Sequence, residues 1–97
     1  MKYLLGIDFG GGASKATLLS ETGQIVAENT VEYPTLYPEA NACEQSCEHW
    51  LDALRRNVSA LLENSGICPG DILCVAVDSA THTAVLCDGA FAPIRNA

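Results

Sequence analysis

A chain of 97 residues with 48% hydrophobic content is sized for one small domain with a modest core, and that composition argues against a disordered chain. A net charge of −7 with only five Lys and Arg disfavours nucleic acid, whose backbone is bound chiefly by cationic side chains. It leaves open a small nucleotide ligand, for which backbone N–H groups and one lysine suffice.

No apolar run approaches the roughly eighteen residues of a membrane span. Met1-Lys2-Tyr3-Leu4-Leu5-Gly6 lacks the apolar segment and small-residue cleavage site of a secretory leader. The expectation is therefore a cytoplasmic location, no membrane association, and five reduced cysteines. Cys43 and Cys47 are close in sequence, but no Cys or His pair completes a zinc pattern.

Residues 3–8 predict a buried strand that runs into Asp8, Gly10, Gly11 and Gly12, with Lys15 shortly after. Glycines let a backbone approach a ligand closely, successive N–H groups can form an anion nest, and an acid at a strand end can hold Mg²⁺. A Walker A loop is excluded, because Lys15 follows Ser14 and precedes Ala16. A dinucleotide fingerprint is excluded as well, because Lys15 occupies the place of its third glycine. Residues 14–19 are β-compatible and end at Glu21-Thr22-Gly23, so the glycines predict the bend of a hairpin. These residues alone are compatible both with a ligand-free hairpin and with a phosphate corner.

Residues 24–32 predict a third strand, with Ile25, Ala27 and Val31 on one face and Glu28, Thr30 and Glu32 on the other. Three strands with short links make an antiparallel meander. Residues 33–42 carry Pro34 and Pro38 and predict a loop. A helix follows, with Ser46 as N-cap, Glu48 in its first turn, a stripe of Leu51, Leu54, Val58, Leu61 and Leu62, and an end at Gly66 and Pro69. Trp50 in its first turn predicts a packing anchor, and the sequon Asn57-Val58-Ser59 is discounted on such a helix.

The continuous apolar run at 72–77 predicts a strand in a parallel position, buried on both faces. It delivers Asp78-Ser79-Ala80-Thr81-His82 at its C-terminal end, the edge where α/β sheets place ligands. Thr83 to Cys87 predicts a strand, Asp88-Gly89 its turn, and Phe91 to Arg95 a return strand. Cys74 and Cys87 fall in apolar runs, where a free cysteine behaves as a small hydrophobe, and structural or incidental roles are expected.

The order of these pieces resembles the opening of the α/β, ribonuclease H-like (actin/hexokinase-type) ATPase fold: an antiparallel three-strand meander in a mixed sheet, then a helix, then a buried strand. Four motifs narrow the resemblance to the FGGY carbohydrate kinases, and among these Tyr33-Pro34 and the Thr81-His82 pair look most like the xylulose kinases. Gly6-Ile7-Asp8-Phe9-Gly10 with Lys15 is similar to their first phosphate motif, and Glu44-Gln45-Ser46-Cys47-Glu48-His49-Trp50 to the segment leading into their first helix. Val77-Asp78-Ser79-Ala80-Thr81-His82-Thr83 is similar to their sugar-contacting turn, and Pro93-Ile94-Arg95-Asn96-Ala97 to the stretch before their Trp-Asn-Asp motif.

The resemblance implies ATP-dependent phosphorylation of a sugar hydroxyl, with ATP and Mg²⁺ as cofactors. Asp8 would lie near the metal and the transferred phosphate. Gly10, Gly11, Gly12 and Lys15 would face the ATP phosphates, and Thr81 and His82 would contact the sugar. The family usually has Thr or Ser where Gly11 and Gly12 stand, and Gln where Ala80 stands; here the phosphate contacts at Gly11 and Gly12 are left to the backbone. The resemblance makes residues 1–97 a partial N-terminal domain, with the catalytic base and the C-terminal domain outside it, so the chain alone is expected to be inactive. The alternatives are an activator-type ATPase of the same fold with an iron–sulfur cluster, and a truncated non-catalytic module whose open sheet edge favours a homodimer.

Overall fold

The computed structural model describes all residues, Met1–Ala97. The strands are β1 (Tyr3–Phe9), β2 (Ala13–Ser20), β3 (Ile25–Glu32) and β4 (Ile72–Ser79); helix α1 (Cys47–Ser65) and one short 3₁₀ turn (Pro69–Asp71) stand between β3 and β4. The sheet order is β3-β2-β1-β4. The first three strands form the expected antiparallel meander, and β4 returns parallel to β1. Gly66 takes the left-handed conformation at φ 70° and donates its N–H to Leu62 O, ending α1 where the sequence places its stop. Ser46 is the N-cap by backbone conformation, with no side-chain capping bond.

The register divides the sheet into two faces. Leu5 pairs with Leu18 and Ile7 with Ala16 across β1 and β2, and these four side chains form the core with Leu61 of α1. A second cluster joins Val31, Tyr33 and Ala53, with Trp50 against it. Ala16 and Ala53 are both fully buried, and their small side chains let the helix settle close to the sheet. Leu4, Gly6 and Asp8 alternate to the opposite face with Lys15 and Thr17. α1 packs over β2 and β3, so that opposite face carries no helix.

Three expectations are corrected. β4 is parallel, as expected, but it is an edge strand and not buried: Leu73, Val75 and Val77 are 62%, 55% and 61% exposed. The reason is the position of α1, which covers the other half of the sheet. For the same reason Cys74 is exposed, and Cys87 is exposed on the segment beyond β4.

Residues 83–87 and 91–95 do not form paired strands; they meet at one bridge, Cys87 with Pro93. Pro93 has no N–H to extend a ladder, and Asp88 Oδ1 accepts the N–H groups of Ala90 and Ala92 at 2.8 and 3.0 Å, rounding the chain into a turn. On α1 the inward line is Ala53, Asn57 and Leu61, flanked by Leu54 and Val58, while Leu51 is half exposed. Asn57, read as a discounted sequon, is fully buried. Its Nδ2 donates to Ser14 O at 3.1 Å and its Oδ1 accepts from Asn29 Nδ2 at 2.9 Å, joining the helix to β2 and β3.

Candidate functional site

Residues Gly10-Gly11-Gly12 link β1 to β2, closed by Gly10 N–H donating to Ala13 O at 2.9 Å. None of the three needs a positive φ. Gly10 is the sterically demanding one: a Cβ there would stand 3.1 Å from Ala13 O and 4.0 Å from Asp8 Oδ2. Gly11 and Gly12 face open space. Their N–H groups donate to no atom of the chain, while the carbonyls of Gly10, Gly11, Gly12 and Ala13 all accept hydrogen bonds. Two adjacent free donors on an open turn are what an anion with several oxygens requires.

The acid sits beside this turn because of register. Asp8 pairs with Lys15 on one side and with Asp78 on the other, all on the face away from α1. Gly6, Thr17 and Ala76 are small neighbours on that face, and they leave a shallow cavity of about 270 Å³ beside Asp8, Lys15 and Asp78. A hydrogen bond with Asp8 raises the Asp78 carboxyl above its ordinary value of 3.8, with a smaller push from desolvation and from the Asp8 charge. Two carboxyls brought face to face by the parallel register are a donor set that fits Mg²⁺ completed by phosphate oxygens and water. Asp78 was not singled out from the sequence; its position opposite Asp8 follows only from the parallel register.

Like charges facing each other make folding sensitive to pH. In the folded chain the Asp78 proton is held more tightly than in the unfolded one. Stability therefore falls as pH rises from the ordinary carboxylate value through the raised one, and stays lower above it. Asp78→Asn is expected to raise the melting temperature near pH 7 and to leave it unchanged near pH 3. Equal shifts at both pH values in thermal melts would contradict this pairing.

Lys15 lines the same cavity, with its Nζ on Glu28 Oε2 at 3.3 Å, a half-exposed pair that holds the cation near the acids. Thr81 and His82 lie past the end of β4, where Ala80 N–H donates to Phe9 O at 3.0 Å. His82 adopts φ 57°, and its Nδ1 is 3.1 Å from Thr81 Oγ1. Both are exposed, and neither lines the Asp8 cavity. The structure therefore brings Asp8 and Lys15 into one cavity, sets Gly10 against Asp8 at the start of the turn, and holds the Thr81-His82 turn past the end of β4. A second, more apolar cavity of about 490 Å³ opens between α1 and the segment after β4, with Phe9, Gly10, Gln45 and Trp50 on its wall. Trp50 is thus both a packing residue and a cavity residue. No helix is long and apolar enough to cross a membrane.

Comparisons with known proteins supply the family. Residues 3–97 match the N-terminal domain of the FGGY family of carbohydrate kinases. Xylulose kinase of Bacillus subtilis (strain 168) is 32% identical over 97 residues, covering 100% of this chain and 19% of that protein. The chain thus spans about one fifth of the length of that relative. The crystal structure of a xylulose kinase from Brucella ovis superposes with a TM-score of 0.88 at 26% identity, covering 97% of this chain and 20% of that one. An activator of 2-hydroxyisocaproyl-CoA dehydratase from Clostridium difficile superposes less fully, with a TM-score of 0.58, 26% identity, 79% of this chain and 24% of that one. With a family match over nearly its whole length, on a fold that sets an acid beside a glycine hairpin, the chain belongs to the FGGY family of carbohydrate kinases.

Proposed function

We propose that this chain forms the phosphate and metal wall of an ATP-dependent sugar kinase whose acceptor is a ketopentose, xylulose foremost. The observation that carries the reading is the pairing of two unpartnered amides, Gly11 and Gly12, with the carboxylates of Asp8 and Asp78 at the same edge of the sheet. The choice of xylulose rests on the Bacillus subtilis and Brucella ovis proteins.

Phosphoryl transfer depends on positioning and on stabilising charge. In this reading the sugar oxygen attacks the γ-phosphorus, the bond from phosphorus to the ADP oxygen breaks, and the hydroxyl proton passes to a base. Gly11 and Gly12 donate N–H groups to phosphate oxygens. Asp8 and Asp78 would hold Mg²⁺, which when bound offsets phosphate charge. Lys15 adds a cation held in place by Glu28, and Thr81 and His82 offer hydrogen bonds to sugar hydroxyls. The proton acceptor and the adenine pocket are assigned to sequence outside this chain, so these 97 residues supply one wall of the cleft.

The test is ADP release in a coupled assay. A chimera with this chain in place of the matching fifth of the Bacillus subtilis xylulose kinase is expected to release ADP with xylulose, and the isolated chain is expected to release none. Turnover by the isolated chain would refute the one-wall reading, and a chimera that prefers glycerol would refute the ketopentose. An activator-type ATPase would instead show an iron–sulfur absorption band after anaerobic purification; the smaller superposition on the Clostridium difficile activator disfavours it.

A further inference from the structure

Three glycines in a row form the most conformationally free linker a chain can have, and ordering them carries a large entropic cost. Here the order is supplied from behind. Tyr33 Oη lies 2.6 Å from Gly10 O and 3.1 Å from Ala13 O, so one hydroxyl proton is shared between both ends of the turn. Tyr33 N–H donates to Gly12 O at 3.1 Å. Gly11 O accepts from Gln45 Nε2 and from Thr35 Oγ1, the latter at 3.3 Å.

Gln45 reaches the turn because its loop folds back on itself. Leu36 and Glu44 exchange backbone hydrogen bonds of 2.7 and 2.8 Å, which sets Gln45 beside Thr35. Gln45 Oε1 is fixed in turn by the Trp50 indole N–H at 3.0 Å. The network therefore runs from the first turn of α1 through Gln45 to the glycine carbonyls. It turns those carbonyls toward the loop and leaves the Gly11 and Gly12 amides without internal partners.

We infer that Tyr33, Gln45 and Trp50 are positioning residues for the phosphate-binding amides, aiming Gly11 and Gly12 by holding the carbonyls behind them; this rests on the kinase reading of the same site. None of the three side chains needs to touch the nucleotide. Burial first, and the Asp8 charge second, raise the Tyr33 phenol above its ordinary value of 10.0, so it remains a donor at neutral pH.

The test is a titration of the 97-residue chain with Mg²⁺-tripolyphosphate, followed through the ¹H–¹⁵N signals of Gly11 and Gly12. Tripolyphosphate carries the phosphates without adenine or sugar. In the unsubstituted chain both amides are expected to shift on titration. Gln45→Met and Trp50→Phe remove hydrogen bonds without adding charge. Each is expected to weaken binding by about three- to tenfold and to displace the Gly11 amide signal of the free chain, with the rest of the spectrum retained. Tyr33→Phe removes the bonds to Gly10 O and Ala13 O and is expected to weaken binding to a similar degree; should it unfold the chain, the other two variants decide. If the unsubstituted chain shifts and the folded variants bind equally well, the positioning role is overturned while the phosphate site stands. If the unsubstituted chain shows no shift at either glycine, the phosphate reading fails and the positioning role fails with it.

Discussion

Asp8→Ala, placed in the xylulose kinase chimera, is expected to lower turnover by about a hundredfold or more while leaving the Michaelis constant for the sugar nearly unchanged. The expectation comes from the position of the residue. Asp8 is exposed at the end of β1, on the sheet face that carries no helix. It takes no part in the core, and it faces Asp78 across the parallel register. Removing it cannot open a cavity, and it relieves a like-charge contact. The melting temperature of the variant should therefore hold or rise while activity collapses. A drop in both together would mark Asp8 as structural, and unchanged turnover would remove it from the chemistry.

The second large effect concerns stability. Asn57→Ala is expected to destabilise the chain by about 2–4 kcal/mol, or roughly 10–25 °C in melting temperature. Asn57 is fully buried in the middle of α1, where a residue with poor helix propensity needs a reason to stand. The reason is its amide, which satisfies Ser14 O on β2 and Asn29 on β3 at the same time. Alanine leaves both groups unpaired in the interface between helix and sheet and leaves a void as well. The same burial makes the sequon at this position inaccessible in the folded chain. A urea or thermal melt showing a loss below about 0.5 kcal/mol would mean that these hydrogen bonds are replaced by water.

Local order was legible where local chemistry decides it. Alternation and turn residues located β1, β2 and β3, and Gly66 located the end of α1, because a left-handed cap selects glycine. The apolar run of β4 gave its strand and its parallel pairing, but not its burial, which depends on what lies over it. α1 sits over β2 and β3 and leaves Val75 and Val77 open. Leu51 departs from the predicted helical stripe for a related reason, while Leu54, Val58 and Leu61 keep to it. The line facing the sheet is chosen by close approach of Ala53 to the sheet and by the Asn57 hydrogen bonds, so Leu51 turns outward.

At the site, Asp8 and the glycines announced themselves through composition, while Asp78 required a register that no single strand encodes. Tyr33 and Gln45 were harder still. Their contacts join an irregular loop to a turn, with no periodicity to signal them. The one available hint was that Gln45 and Trp50 belong to a single motif, now seen as a hydrogen-bonded pair.

The glycine turn beside Asp8 and Asp78 is proposed to receive a metal-bound polyphosphate. Mn²⁺, a paramagnetic stand-in for Mg²⁺, tests it directly when added to the 97-residue chain with a non-hydrolysable ATP analogue. Amide signals of Asp8, Gly11, Gly12 and Asp78 are expected to broaden first, and only in the presence of the nucleotide. Broadening confined to other acidic positions, such as Glu48 and Asp52 on α1, or independent of nucleotide, would contradict it.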